Sequence, residues 1–175
     1  MIYKSFLIEK NISAIKENLV LIYGENIGIK NEIKKEIKKK FKEFEILLFN
    51  QDEILKDSTL LFNEVNNISL FEKGKIILVD QSNDKITKTI EEISQYLDGQ
   101  KIFLFAEILD KKSKLRNYFE KGKNTICIPF YADNIKTLNE QINIFFKDKN
   151  IQISQETINL LSSRCNGDRQ NLKNE

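Results

Sequence analysis

Val65-Asn66-Asn67-Ile68-Ser69-Leu70-Phe71-Glu72-Lys73-Gly74-Lys75-Ile76-Ile77-Leu78-Val79-Asp80 is the stretch on which the reading of this chain turns. Lys75 to Asp80 is a short apolar run that follows a glycine and ends in an acid. A run that is apolar at successive positions, not at alternate ones, is the pattern of a strand buried on both faces of an α/β sheet. The first half of the stretch is different. Ile68, Leu70 and Phe71 are large and apolar, yet they precede Gly74, where a connection should run. Connections lie on the surface. A Leu-Phe pair there is either tucked under the domain as core or offered to a partner.

Working outward, strand-like runs alternate with helical patterns. Leu19 to Tyr23 is a strand ended by Gly24, and Ile27 to Phe41 is a helix with Ile29, Ile33, Ile37 and Phe41 spaced by four. Phe44 to Phe49 is a second strand, Asp52 to Val65 a helix, and Lys75 to Asp80 the third strand. Asp84 to Leu97 reads as a helix stopped by Asp98-Gly99. Lys101 to Phe105 and Thr125 to Phe130 are the fourth and fifth strands, separated by a short helix over Lys112 to Phe119. This alternation predicts a five-stranded, mainly parallel sheet covered on both faces.

After Tyr131 no strand run recurs. Asn134 to Phe146 is a helix, Ser154 caps another over Gln155 to Arg164, and Asn166-Gly167-Asp168 opens a third that reaches Glu175. The expected organisation is an α/β domain over 1–132 and a small all-helical lid over 133–175. A last helix this short has little stability of its own, so the expectation is a piece of a longer chain.

Composition narrows the chemistry. The chain has 175 residues, enough for one domain and a small companion, and a net charge of +2, which does not fit a surface wholly given to nucleic acid. It has no histidine, which removes the commonest general base and metal ligand. Cys127 and Cys165 are too far apart for a metal spacing and read as buried thiols of a reducing cytoplasm. With no run approaching ~20 apolar residues, the expectation is a soluble cytoplasmic protein without cofactor or metal.

Two degenerate motifs follow each other in order. Strand, loop and helix around Gly24-Glu25-Asn26-Ile27-Gly28-Ile29-Lys30-Asn31 have the context of a phosphate loop, and Lys30 falls on the lysine position. The chemistry is wrong. Ile29 stands where a second glycine would let backbone amides close on a phosphate, Asn31 replaces a magnesium-binding hydroxyl, and Glu25 brings negative charge. Gly24, Gly28, Lys30 and Asn31 are read as a structural remnant. Asp80 sits where an ATPase strand carries its magnesium acid, but Gln81 cannot act as a base. Together they point to an ATPase-like fold that has lost ATPase activity. A working NTPase with an unusual loop is the first alternative. A nucleic-acid module is the second, using Lys30, Lys34, Lys35, Lys38, Lys39, Lys40 and Lys42. There Glu32, Glu36 and Glu43 interleave as on an ordinary solvated helix.

At this point the chain resembles the delta subunit of the bacterial DNA polymerase III clamp loader. The resemblance rests on four features taken in order: Leu21-Ile22-Tyr23-Gly24-Glu25; Ser69-Leu70-Phe71 before Lys75-Ile76-Ile77-Leu78-Val79; Asp110-Lys111-Lys112-Ser113-Lys114-Leu115; and Asn166-Gly167-Asp168 before Leu172-Lys173-Asn174-Glu175. It covers essentially the whole chain, and the family's third, collar domain is missing. The resemblance implies an AAA+ fold with a helical lid and no catalysis of its own, within a DNA-directed DNA polymerase holoenzyme (a nucleotidyltransferase). It implies that Ser69, Leu70 and Phe71 insert into a pocket of the sliding clamp, the beta subunit, and help open it. The implied partners are the gamma/tau and delta prime subunits and, through the complex, primer–template DNA.

Overall fold

The computed structural model describes residues 15–67 and 73–175, together with Ile2, Ile8 and Ile12. Among them the chain forms five strands and eight α-helices. The strands are β1 (Leu19–Tyr23), β2 (Glu45–Asn50), β3 (Lys75–Ser82), β4 (Lys101–Ala106) and β5 (Thr125–Pro129). They make one sheet in the order β2-β3-β4-β1-β5, and every pairing is parallel. The helices are α1 (Ile27–Lys40), α2 (Gln51–Lys56), α3 (Leu60–Asn66), α4 (Thr87–Ile93), α5 (Lys114–Lys121), α6 (Ile135–Asp148), α7 (Gln155–Arg164) and α8 (Arg169–Asn174).

The residues divide into two compact units, Met1–Gly24 with Ile33–Pro129, and Glu25–Glu32 with Phe130–Glu175. The first holds the sheet. Successive side chains of a strand point to opposite faces, and both faces of β1 are dry: all five of its residues are buried. Leu19, Leu21 and Tyr23 join Ile77, Val79, Ile102, Leu104 and Cys127 in one layer with Ile54, Leu61, Ile90 and Phe119 from the helices. Val20, Ile22, Leu78, Phe103 and Ile126 are equally buried, as are Ile8, Ile12, Ile33 and Ile37. The continuous apolar runs of the sequence are therefore the strands of a doubly covered parallel sheet.

Local chemistry sets the boundaries. One helix was expected over Asp52 to Val65, but two form. Asp57 accepts both the amide and the hydroxyl of Thr59, at 3.0 and 2.7 Å. Such side-chain bonds compete with the helical ladder, and α2 ends there. The helix expected over Asp84 to Leu97 is also shorter, a 3-10 turn at Asp84–Ile86 followed by α4. The Asp84 carboxylate accepts the Ser113 hydroxyl at 2.5 Å and the Leu115 amide at 3.1 Å. Burial opposes its ionisation, but these donors outweigh it and hold the carboxyl below its ordinary range. Ser113 in turn caps α5 by accepting the Arg116 amide.

The start of β3 is built around Gly74. A Cβ there would come within 2.9 Å of the Phe44 ring, so only glycine lets that ring lie flat on the turn. Lys75 is buried beside it, its ammonium paired with Glu64 at 2.7 Å and Glu45 at 3.4 Å. Both cysteines are free and buried, and burial pushes the Cys127 thiol up to about 12.

The second unit is helical. Asn134, Ser154 and Asp168 cap α6, α7 and α8, each accepting an amide of the first turn. Asn166 and Gly167 take left-handed φ angles of 47° and 76°, which turns the chain from α7 into α8.

Candidate functional site

In the sheet unit, the C-terminal end of β3 carries Asp80 and Gln81, where an ATPase would hold its catalytic acids. The strand keeps its register with β2 through Asn50 and Asp80, then breaks from β4 between Val79 and Ser82. Gln81 lies at the break with φ of 55°, a left-handed conformation that costs a residue with a Cβ on the order of 1 kcal/mol. Its side-chain oxygen accepts the Asn50 amide at 2.9 Å. Asp80 is half-buried and paired with the Lys34 ammonium at 2.5 Å. Lys34 also lies over the Phe105 ring, 4.7 Å from its centroid. The acid therefore has a cation of its own, one helical turn beyond the lysine position of the loop.

Gly24 ends β1 with φ of 127° and donates its amide to the Glu107 carbonyl at 3.1 Å. The rest of the loop belongs to the helical unit. Asn26 is 1% exposed and does two jobs. Its oxygen accepts the Ile29 amide at 3.1 Å, capping α1, and its amide donates to Asp133 at 2.7 Å. Asp133 is in turn gripped by Arg169, with Nε to Oδ2 at 2.8 Å and Nη2 to Oδ1 at 3.2 Å. This is the two-pronged geometry that makes Arg–carboxylate pairs strong. Arg169 reaches Glu32 as well, at 3.4 Å, and Lys173 meets the other Glu32 oxygen at 2.6 Å.

Gly28 has a role other than the one its motif implies. A Cβ there would meet the Gln170 amide at 2.5 Å and the Arg169 Cβ at 2.8 Å. It is a close-packing glycine, and backbone of α8 lies where a phosphate loop would need open space. Lys30 is buried and its amide donates to the Asn26 carbonyl, while Asn31 is half-buried in the first turns of α1. Glu25 accepts the Ala132 amide at 3.1 Å. Gly24, Glu25, Gly28 and Lys30 of the loop are thus each engaged with protein.

Ser69, Leu70 and Phe71 lie outside the described residues. Asp133 and Arg169 were missed by the sequence reading, as were the pairings of Asn26 with Asp133 and of Lys34 with Asp80. Asn26 had a signal, as an asparagine directly before the periodic run that starts at Ile27. Arg169 had a weaker one, as one of three arginines in the chain.

Elsewhere on the sheet unit an open groove of about 650 Å3 runs between the Asp84–Ile86 turn, α4 and α5. Lys85, Lys88, Lys114 and Lys121 line it, with Asp84 and Glu91 as the acids. Among the described residues no three His, Cys, Asp or Glu side chains are placed to hold a metal ion. No helix among them is long and apolar enough to cross a membrane.

No family model matches the chain, and no curated protein does. Solved structures do. Domain III of the Thermotoga maritima replication initiation protein DnaA superposes with a TM-score of 0.55 at 12% identity, covering 97% of this chain and 77% of that one. The Bacillus subtilis DNA clamp loader delta protein superposes with a TM-score of 0.64 at 17% identity, covering 96% and 54%. The Thermotoga maritima RuvB Holliday junction branch migration motor gives 0.56 at 13%, covering 96% and 55%. The chain spans about half the length of the latter two. At these identities the likeness shows the fold alone, and that fold is the AAA+, P-loop NTPase-like α/β sheet with flanking helices.

Proposed function

We propose that this chain is the clamp-opening part of a clamp-loader delta subunit of DNA polymerase III, a component of DNA replication that hydrolyses no ATP itself. The observation that carries the reading is the strand end. Asp80 is neutralised by Lys34, and Gln81 is tied to Asn50. A carboxylate held by a lysine is poorly placed to hold magnesium, and an amide cannot take a proton from water. A fold stripped of its chemistry keeps shape and surface, and function then lies in a site grafted on it. The Leu70-Phe71 pair, which precedes β3 in the sequence, is what the resemblance joins to the sliding clamp. The fold shared with the Bacillus subtilis delta protein supports the same reading.

The mechanism is differential binding. Leu70 and Phe71 enter a pocket on the beta clamp and favour its open interface, which shifts the clamp toward opening. The gamma/tau and delta prime subunits would supply the ATP-driven steps. Titration of labelled clamp tests the plug. Leu70→Ala/Phe71→Ala should weaken binding by ~2 kcal/mol or more, about thirtyfold, as loss of an apolar anchor does. Equal affinity of wild type and variant sinks the assignment. Saturable micromolar ATP binding that depends on Lys30 would favour the NTPase alternative.

A second reading has its own observation, the lysine-lined groove of the sheet unit. Its four ammonium groups face two carboxylates, a surplus suited to a phosphate backbone. On this reading nucleic acid would contact Lys85, Lys88, Lys114 and Lys121 and not α1. Duplex affinity should fall steeply with salt, and Lys88→Ala/Lys121→Ala should flatten that slope. Salt-independent binding would count against it.

A further inference from the structure

The helical unit contains an anion cradle that is already full. Three donors converge on one carboxylate: the Asn26 amide at 2.7 Å, Arg169 Nε at 2.8 Å and Arg169 Nη2 at 3.2 Å. The donors and the carboxylate are all buried, Asn26 at 1% exposure, Arg169 at 7% and the Asp133 side chain at 5%. A buried guanidinium and amide directed at one anion, beside the start of a helix, are the groups that a protein uses to hold a phosphoryl oxygen. Here the anion comes from the chain itself. The neighbouring positions are closed in the same way. Glu25 is held by the Ala132 amide, the Asn26 amide donates to the Phe130 carbonyl at 3.4 Å, and α8 backbone covers Gly28.

We propose that Asp133 is an intramolecular phosphate surrogate, which fills the cradle of Asn26 and Arg169 permanently and keeps the helical unit ordered without any nucleotide. In a nucleotide-gated protein the corresponding anion would come and go, and the helices would respond to it. With the carboxylate tethered, its effective concentration is fixed by the fold. The helical unit is then insensitive to nucleotide, phosphate or their release. This inference does not depend on clamp binding and stands or falls apart from it.

The test is anion rescue. Tm is measured for wild type, Asp133→Asn and Asp133→Ala in sodium chloride, formate and phosphate at matched ionic strength. Removing the side chain in Asp133→Ala empties the cradle, so formate or phosphate should raise its Tm by about 5 °C relative to chloride. Wild type, whose cradle is full, and Asp133→Asn, whose amide occupies the same volume, should show no such difference. Adding Arg169→Gln to Asp133→Ala should abolish the rescue. If Asp133→Ala does not fold in chloride, recovery of its helical circular dichroism on refolding in phosphate or formate is the supporting result. Indifference of Asp133→Ala to both anions, or an equal rise in wild type, overturns the proposal.

Discussion

Two carboxylates of this molecule, Asp80 and Asp133, are each paired with a cation, and they differ in their distance from water. Asp80 and Lys34 keep 30% and 21% of their side-chain surface exposed, and Asp133 and Arg169 keep 5% and 8%. A pair that water can reach gains little, because solvent offers nearly the same stabilisation to the separate charges. A pair cut off from water has no such fallback, and removing either partner leaves the other charge buried and uncompensated. The surroundings of each follow suit. Asp80 follows Ile76 to Val79, whose apolar side chains are fully buried and hold that strand in the sheet without it. The helical unit leaves Ile135, Ile144, Phe145 and Leu160 exposed and has fewer buried apolar groups to rely on.

The sharpest way to break this contrast is Arg169→Met. It should cost ~3–5 kcal/mol, because Asp133 is left buried without its cation. Urea denaturation would read it, and adding Asp133→Leu should recover much of the loss. A cost under 1 kcal/mol would place the two pairs in one class. Gly28→Ala comes next, at ~1–3 kcal/mol from overpacking, since the added methyl meets α8 backbone with no room to yield. Lys34→Met should be the mildest, at most about 1 kcal/mol, even though it also removes the ammonium from over the Phe105 ring. A larger loss from Lys34→Met than from Arg169→Met would invert the comparison.

The sequence made the strands plain and the pairs invisible, for one reason. A strand buried on both faces writes itself locally, as in Leu19 to Tyr23 or Ile76 to Val79, because every position must be apolar. An ion pair between residues far apart writes nothing in either neighbourhood. Asn26 was legible as a cap, since its bond to Ile29 is three residues away. Its bond to Asp133 spans 107 positions and was not. Gly28 was visible as part of a remnant loop, but what packs on it was not, because a glycine that admits a phosphate and one that admits a neighbouring helix look alike in a motif. The break between α2 and α3 was missed because the apolar spacing of Ile54, Leu55, Leu60 and Leu61 carries through it, while Asp57 and Thr59 decide locally to stop the helix. The loop residues read as chemically unsuited to phosphate. What fills its place was not readable from the loop at all.

The strand order has a consequence for synthesis. β1 is made first, yet its sheet partners are β4, in register through Leu19 and Ile102, and β5, through Leu19 and Thr125. On a ribosome adding ~5–20 residues per second, the most hydrophobic strand of the molecule waits roughly 4–17 s for its first neighbour. During that interval β2 and β3 can already zip together, since fewer residues separate them. The nascent chain therefore carries a sticky, unpartnered segment until β4 is made, the situation in which ribosome-associated chaperones are needed.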